Sequence, residues 1–166
     1  IKVGLSILGK VADKLQTDQP VPPEHLEQLV DFIRTFADKC HHGKEEDLLF
    51  NEMVKAGVPK QGGPIAVMLT EHELGREHIR ALAAIGDGGS PLSEQERRQV
   101  CAHAGAFIPL LRTHIVREDE ILYPMAMRAL SPEHLATLAS DFEAFAATVM
   151  GEGEHAFADL ASRLAQ

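Results

Sequence analysis

The sequence predicts an all-α protein, an up-down antiparallel four-helix bundle with one or two additional C-terminal helices. Apolar residues recur at helical spacing along almost the whole chain, whereas the alternation typical of strands is nearly absent. Clusters of proline and glycine divide this pattern into long segments joined by short loops, as in bundles of antiparallel helices. The 166 residues, 45% of them hydrophobic, suffice for one core but are few for two. We therefore expect a single domain over residues 1–166.

The breaks in this pattern set the bounds of each expected helix. Proline opens the second and third helices, and Ser93 with Glu96 forms a capping-box pattern at the start of the fourth. The expected helices run over about residues 1–15, 23–56, 64–85, 94–130 and 132–150, with a short last helix beyond about residue 153. Residues 1–130 would form the bundle core, and residues 131–166 would pack outside it.

Charge and composition exclude several kinds of partner. Asp and Glu number 25 against 16 Lys and Arg, and the net charge of −9 would repel nucleic acid and anionic membranes. No apolar run is long enough to span a bilayer, and no signal-peptide pattern opens the chain. Cys40 and Cys101 lack the spacing of a disulfide framework or a zinc knuckle. We expect a cytoplasmic protein with no nucleic-acid or membrane partner; the sequence does not indicate its oligomeric state.

A motif of the form His-x-x-x-Glu-x-x-apolar-Leu-aromatic occurs twice. The first copy runs from His41 to Phe50 in the second helix, and the other runs from His114 to Tyr123 in the fourth. Residues four apart lie one turn apart on the same face of an α-helix, so each copy presents an imidazole beside a carboxylate. These donors suit iron or manganese better than calcium or structural zinc. The recurrence therefore predicts a metal site between the two helices.

The first copy of the motif allows two registers, because His42 and Glu46 have the same spacing as His41 and Glu45. At α-helical periodicity, His41 and Glu45 share a stripe with apolar residues. His42 and Glu46 share theirs with polar and charged residues. The pattern favours His41 and Glu45 as the inward pair and predicts that His42 faces solvent.

The third and fourth helices contribute further inward donors. His114 and Glu118 lie among apolar residues on the fourth helix, and His72 does so on the third. Two carboxylates facing one core need a cation, a proton or a basic partner, and no Lys or Arg shares their stripes. We predict His41, Glu45, His72, His114 and Glu118 as metal ligands and assign no other catalytic residue. A metal-free core of mutually paired side chains is the alternative, but it leaves the repeated motif unexplained.

These segments resemble the hemerythrin-like family, also called the HHE cation-binding domain. The likeness rests on residues 41–50, 71–73 and 114–124 and spans most of the chain. The resemblance implies a four-helix bundle with a non-haem di-iron centre, in which Glu45 and Glu118 bridge the two iron ions and histidines bind at its ends. It favours iron over manganese or zinc, and it implies a small-molecule ligand such as O2, NO or peroxide.

The chain departs from the family pattern at two points. Members usually add a histidine from the first helix, but the first histidine here is His25, at the start of the second. Because the chain begins at Ile1, inside a helical pattern, we expect that ligand in preceding residues; its loss is the alternative. Arg76 stands four residues after His72, where oxygen-carrying hemerythrins have a second histidine. This difference favours reaction with an oxidant over simple oxygen carriage.

Two functions remain compatible with this ligand set. The expected function is a di-iron protein that binds or reacts with O2, NO or peroxide, and the sequence leaves open whether it is an oxidoreductase. The alternative is a non-enzymatic sensor of iron or oxygen, or a module for iron storage and donation. The same ligands serve both functions, so the sequence does not decide between them.

Overall fold

The computed structural model describes residues 1–86 and 91–151, and over these residues the chain is all helical, with no strand. The all-α prediction is therefore confirmed. Five long helices occupy this described part, with the following bounds: α1, Lys2–Gln16; α2, residues 23–55; α3, Pro64–Gly86; α4, residues 94–129; α5, Pro132–Met150. These bounds match the expected helices, while the expected last helix lies outside the described residues. None of the described helices is long and apolar enough to cross a bilayer.

Local signals in the sequence explain where the later helices begin. The Ser93 side chain accepts a hydrogen bond from the Glu96 amide, and the Glu96 carboxylate accepts one from the Ser93 amide, completing the predicted capping box of α4. Ser131 caps α5 by accepting a hydrogen bond from the His134 amide. Each cap satisfies an amide that the helix itself leaves without a partner.

The two helices that carry the repeated motif are not uniformly α-helical. The segments Ile33–His42 and Glu45–Leu49 of α2 are π-helical, and so is Glu118–Leu122 of α4. A π-helical turn closes hydrogen bonds from residue i to i+5 and so holds more residues than an α-turn. Side chains along these segments therefore drift away from the stripes expected at α-helical periodicity.

The first and fourth helices pack side by side in opposite directions. Cys101 contacts the backbone oxygen of Ala12 at 3.6 Å, and Lys2 Nζ lies 3.7 Å from an oxygen of Asp119. Later residues of α1 thus meet earlier residues of α4, which defines an antiparallel pair. This arrangement brings the start of α1 close to the second copy of the motif.

The core consists of two apolar clusters with a polar layer between them. The larger cluster joins α1 to the early part of α2, the late part of α3 and the early part of α4. The smaller one joins the end of α2, the start of α3, the end of α4 and α5. Between the clusters lie the buried histidine and glutamate side chains of the described residues, namely His42, Glu45, Glu71, His72, His114 and Glu118. The apolar clusters separate these groups from solvent along the helix axes.

The last described helix packs across the π-helical part of α2. A Cβ added to Gly43 would lie 2.9 Å from Phe145 Cζ, so only glycine allows α5 this approach. Lys44 Nζ also lies 5.8 Å from the centre of the Phe142 ring, in the range of a cation–π contact. Helix α5 is thus in contact with the segment that carries the first copy of the motif.

We predict that Gly43→Ala destabilises the metal-free protein by about 1–3 kcal/mol relative to Gly105→Ala, because its new Cβ overpacks against Phe145. Gly105 has no described atom within 4 Å of an added Cβ. Its alanine variant should gain about 0.5–1 kcal/mol from helix propensity. Urea unfolding measures both values. In a Phe145→Leu background the penalty at Gly43 should shrink, and equal effects at the two glycines would contradict the contact.

Candidate metal centre

Four of the five predicted ligands meet in the interior of the protein. Glu45, His72, His114 and Glu118 each offer one ligand atom, and these four atoms all lie within 4.8 Å of one another. They come from α2, α3 and α4, and each residue is at most 3% exposed. Separate helices therefore deliver two imidazoles and two carboxylates to one buried point.

The contacts within this group have the spacing of ligands around an ion. His72 Nε2 lies 3.2 Å from Glu45 Oε2, and His114 Nε2 lies 2.8 Å from Glu118 Oε1. Among the described residues, both nitrogens and Glu45 Oε2 are buried without a well-directed hydrogen bond. Donor atoms at about 2.1 Å from a shared ion and at near-right angles lie about 3 Å apart. The residues present thus fit a metal ion better than they fit one another.

Two further carboxylates hold the outer nitrogens of these imidazoles. His72 Nδ1 donates to Glu46 Oε1 at 2.6 Å, and His114 Nδ1 donates to Glu71 Oε2 at 3.0 Å. A carboxylate can only accept, so each Nδ1 carries the hydrogen and each Nε2 presents a lone pair to the interior. Such carboxylate partners orient histidine ligands and raise their basicity in metal sites.

Arginines anchor these outer carboxylates. Arg76 Nη2 donates to Glu46 at 2.6 Å, and Arg76 Nε donates to Asp38 at 2.7 Å. Arg117 donates to Glu71. Arg76 therefore contacts the outer carboxylates and not the four converging donors. Sequence periodicity missed the role of Glu71, because its partners come from α4 and no intrahelical spacing reveals them.

His42 is more deeply buried than its neighbour His41, which is the reverse of the prediction from the sequence. The His41 side chain is 30% exposed and its Nε2 lies 3.3 Å from Glu118 Oε1, outside the group of converging donors. His42 is only 4% exposed and stacks on His72 with ring centroids 3.9 Å apart. The prediction that His42 faces solvent is therefore wrong. The π-helical segments explain the error, because α-helical stripes do not describe the faces of α2 there.

The charges in the cluster shift several pKa values. Burial alone would raise the pKa of Glu118, but the close contacts and charges of His114 and His41 outweigh it and lower the pKa well below its ordinary value. Burial would lower the pKa of His72, but Glu45 and Glu46 raise it. The carboxylates therefore favour a positive charge between these groups, either a proton or a metal ion.

Tyr123 completes the surroundings of the cluster. Its hydroxyl donates to Glu45 Oε1 at 2.8 Å. Burial and the nearby carboxylates of Glu45 and Glu118 raise the pKa of Tyr123, so the phenol stays protonated and continues to donate. This hydrogen bond fixes one oxygen of Glu45 and leaves the other facing His72.

The fold and the site together indicate a class: a helical protein whose buried histidine and glutamate side chains could hold a metal cation. Comparison with known proteins agrees. The family described as Hemerythrin HHE cation binding domain matches residues 3–126. The chain therefore belongs to the hemerythrin HHE cation-binding domain family.

Several curated relatives share this region. The chain is 30% identical to the iron-sulfur cluster repair protein YtfE of Musicola paradisiaca over 127 residues, which cover 75% of this chain and 56% of the relative. It is 25% identical to the uncharacterised protein Rv1995 of Mycobacterium tuberculosis over 130 residues, covering 78% of this chain and 50% of that protein. The chain thus spans about half the length of the relatives it matches. No solved structure matches the sequence significantly.

We predict that Glu71→Ala weakens metal binding by roughly 10–100-fold, because His114 loses the acceptor that orients it. Glu77→Ala is the matched control, since Glu77 lies on the same helix but is exposed. Titration with Co²⁺ in competition with a chelator measures the affinity of both variants. Equal affinity in the two variants would show that Glu71 does not support the metal site.

Proposed function

We propose that this protein holds a carboxylate-bridged pair of iron ions and binds or reacts with a small oxidant such as O2, NO or peroxide. The proposed ligands are His41, Glu45, His72, His114 and Glu118, with both glutamates bridging. The observation that carries the proposal is the buried meeting of two carboxylates and two inward imidazole nitrogens without hydrogen-bond partners among the described residues. Groups of this kind cost free energy in a protein interior unless a cation or proton joins them.

Iron fits this donor set better than the common alternatives. Mixed imidazole and carboxylate ligands suit iron, whereas calcium prefers oxygen donors alone and structural zinc prefers thiolates. Family membership and the relatives named iron-sulfur cluster repair proteins also support iron. Bound in this layer, iron would supply redox chemistry toward small oxidants. Manganese and zinc are the less favoured ions.

The chain's own residues would control the surroundings of the ions. Glu46 and Glu71 hold the hydrogens of His72 and His114 on the outer side, so the inner nitrogens remain free to bind. The Tyr123 hydroxyl donates a hydrogen bond to Glu45 Oε1, with 2.8 Å between the two oxygens. The two apolar clusters limit water at the site, which strengthens electrostatic interactions inside it.

A cavity next to the cluster supports a small ligand. It has a volume of about 310 Å³ and is lined in part by His42, with mostly apolar walls that include Gly75, Phe107 and Leu111. Arg76 borders it and donates to Asp38 and Glu46, so this arginine does not fill the space. A neutral diatomic molecule or peroxide would fit such a route to the metal layer.

The wider predictions belong to the same proposal. We infer a single domain with an up-down antiparallel four-helix bundle, and the antiparallel contact of α1 with α4 supports this topology. Helix α5 would be the first additional C-terminal helix. A cytoplasmic location, a small-molecule partner and the lack of a nucleic-acid partner fit the net charge of −9.

A sensor or iron-donation module is the second candidate function. The close contact of α5 with Gly43 favours it, because α5 packs on the helix that carries two of the proposed ligands. A change of metal at the cluster could therefore alter the packing of α5. Saturable turnover of peroxide or NO would support the enzyme, whereas metal-dependent hydrogen exchange confined to α5, without turnover, would support the sensor.

We predict that Glu118→Ala and His114→Ala lose iron but remain folded. The full chain should contain about two irons, and each variant clearly less, because both residues offer ligand atoms to one cluster. Glu120→Ala is the control, since Glu120 lies exposed on the same π-helical segment. Elemental analysis measures iron, and circular dichroism checks folding. Wild-type iron content in either variant would refute the ligand assignment.

We predict that Gly75→Val slows the reaction of the iron-loaded protein with NO or O2 without changing its iron content. The new side chain would lie against Phe107 and Leu111 and narrow the cavity that leads to His42. Stopped-flow absorbance measures the rate, and Gly105→Val, on the exposed face of α4, is the control. Equal rates for the two variants would exclude this cavity as the route.

A further inference from the structure

His42 is buried, although the sequence pattern predicts that it faces solvent. It is 4% exposed, its ring stacks on His72 with centroids 3.9 Å apart, and it meets the His114 ring edge-on at 5.6 Å. Its Nε2 is buried and has no hydrogen-bond partner among the described residues. A histidine that only fills the core would normally have both nitrogens satisfied.

The outer side of His42 repeats the arrangement seen at the other two imidazoles. Its Nδ1 lies 3.3 Å from Asp38 Oδ1, and Arg76 fixes that carboxylate from 2.7 Å. Because a carboxylate only accepts, Nδ1 carries the hydrogen and Nε2 presents its lone pair to the interior. His42, His72 and His114 thus each have a carboxylate behind the ring.

The three inner ligand atoms converge. One ligand atom from each of His42, His72 and His114 lies within 4.8 Å of the others, and all three residues are buried. Nitrogen lone pairs held this close together in a protein interior repel each other unless a cation accepts them. By contrast, His41 is partly exposed and lies outside this group.

We propose that His42 is a sixth protein ligand of the metal centre, giving its Nε2 to an ion that His72 and His114 also bind. The inference rests on the proposed function, because it requires that this cluster holds metal. Both neighbouring histidines of α2 would then be ligands. His42 would bind together with His72 and His114, and His41 lies beside Glu118. Of His42, His72 and His114, His42 is the one that lines the apolar cavity.

The test uses His42→Leu in the full chain, with Fe²⁺ and Co²⁺ as probes. Leucine fills the buried volume and removes a polar atom that has no partner, so the metal-free protein should unfold at a similar or higher temperature. Iron binding should weaken by more than about 100-fold, beyond the roughly 10–100-fold cost of losing an orienting partner. Asp38→Asn, which weakens that partner and its ion pair with Arg76 but leaves the imidazole in place, should weaken binding by about 10-fold.

His103→Leu is the matched control, because it removes a partly buried imidazole that pairs with His78 away from the cluster. It should keep wild-type affinity. The visible spectrum of the Co²⁺-loaded chain adds a readout of coordination, and it should change in His42→Leu but not in His103→Leu. If His42→Leu does not fold, His42→Gln serves for the same measurements.

The outcomes separate the inference from the proposal on which it rests. If wild type and His103→Leu bind iron tightly and His42→Leu does not, with an altered Co²⁺ spectrum, His42 is a ligand. If His42→Leu binds iron and Co²⁺ as wild type does, while His114→Ala does not, the inference fails and the proposed metal centre stands. If wild type binds neither ion at the cluster, both fail.

Discussion

The structure depends on how the interior accommodates two carboxylates. Glu45 and Glu118 are at most 3% exposed, lie between two apolar clusters, and have no Lys or Arg among the partners described for them. Burying ionised groups costs several kcal/mol each unless opposite charge accompanies them. Imidazoles alone supply that charge only when protonated, whereas a metal ion supplies it permanently. Because these side chains come from α2, α3 and α4, the packing of the three helices depends on a cation in this layer.

The surrounding elements orient the donors. Each inward imidazole has a carboxylate behind it, and Arg76 and Arg117 hold those carboxylates in turn. The π-helical segments widen α2 and α4 beside the converging donors, which allows His42 as well as Glu45 to face the interior. These features reduce the regularity of the helices and leave polar atoms in the core. Irregular helices and buried polar atoms are expected at a functional site and not in a helix optimised for stability.

Much of this arrangement could be predicted from the sequence. Proline, glycine and capping residues mark the helix ends, and the repeated motif indicates three of the converging donors, Glu45, His114 and Glu118, because it recurs on two helices. The position of His42 could not be predicted, since its inward direction depends on π-helical turns that a fixed periodicity does not represent. The role of Glu71 could not be predicted either, because it depends on contacts with His114 and Arg117, which lie on another helix. Intrahelical spacing carries no information about such partners.

Anomalous diffraction at the iron absorption edge, from crystals of the protein prepared with iron, tests the central claim most directly. Two iron peaks are expected in the polar layer, both within coordination distance of protein donors, with oxygens of Glu45 and Glu118 between them and His72 and His114 bound through Nε2. Absence of an iron peak between α2, α3 and α4, with these side chains hydrogen-bonded to one another or to water, would contradict a metal centre at this place in the fold.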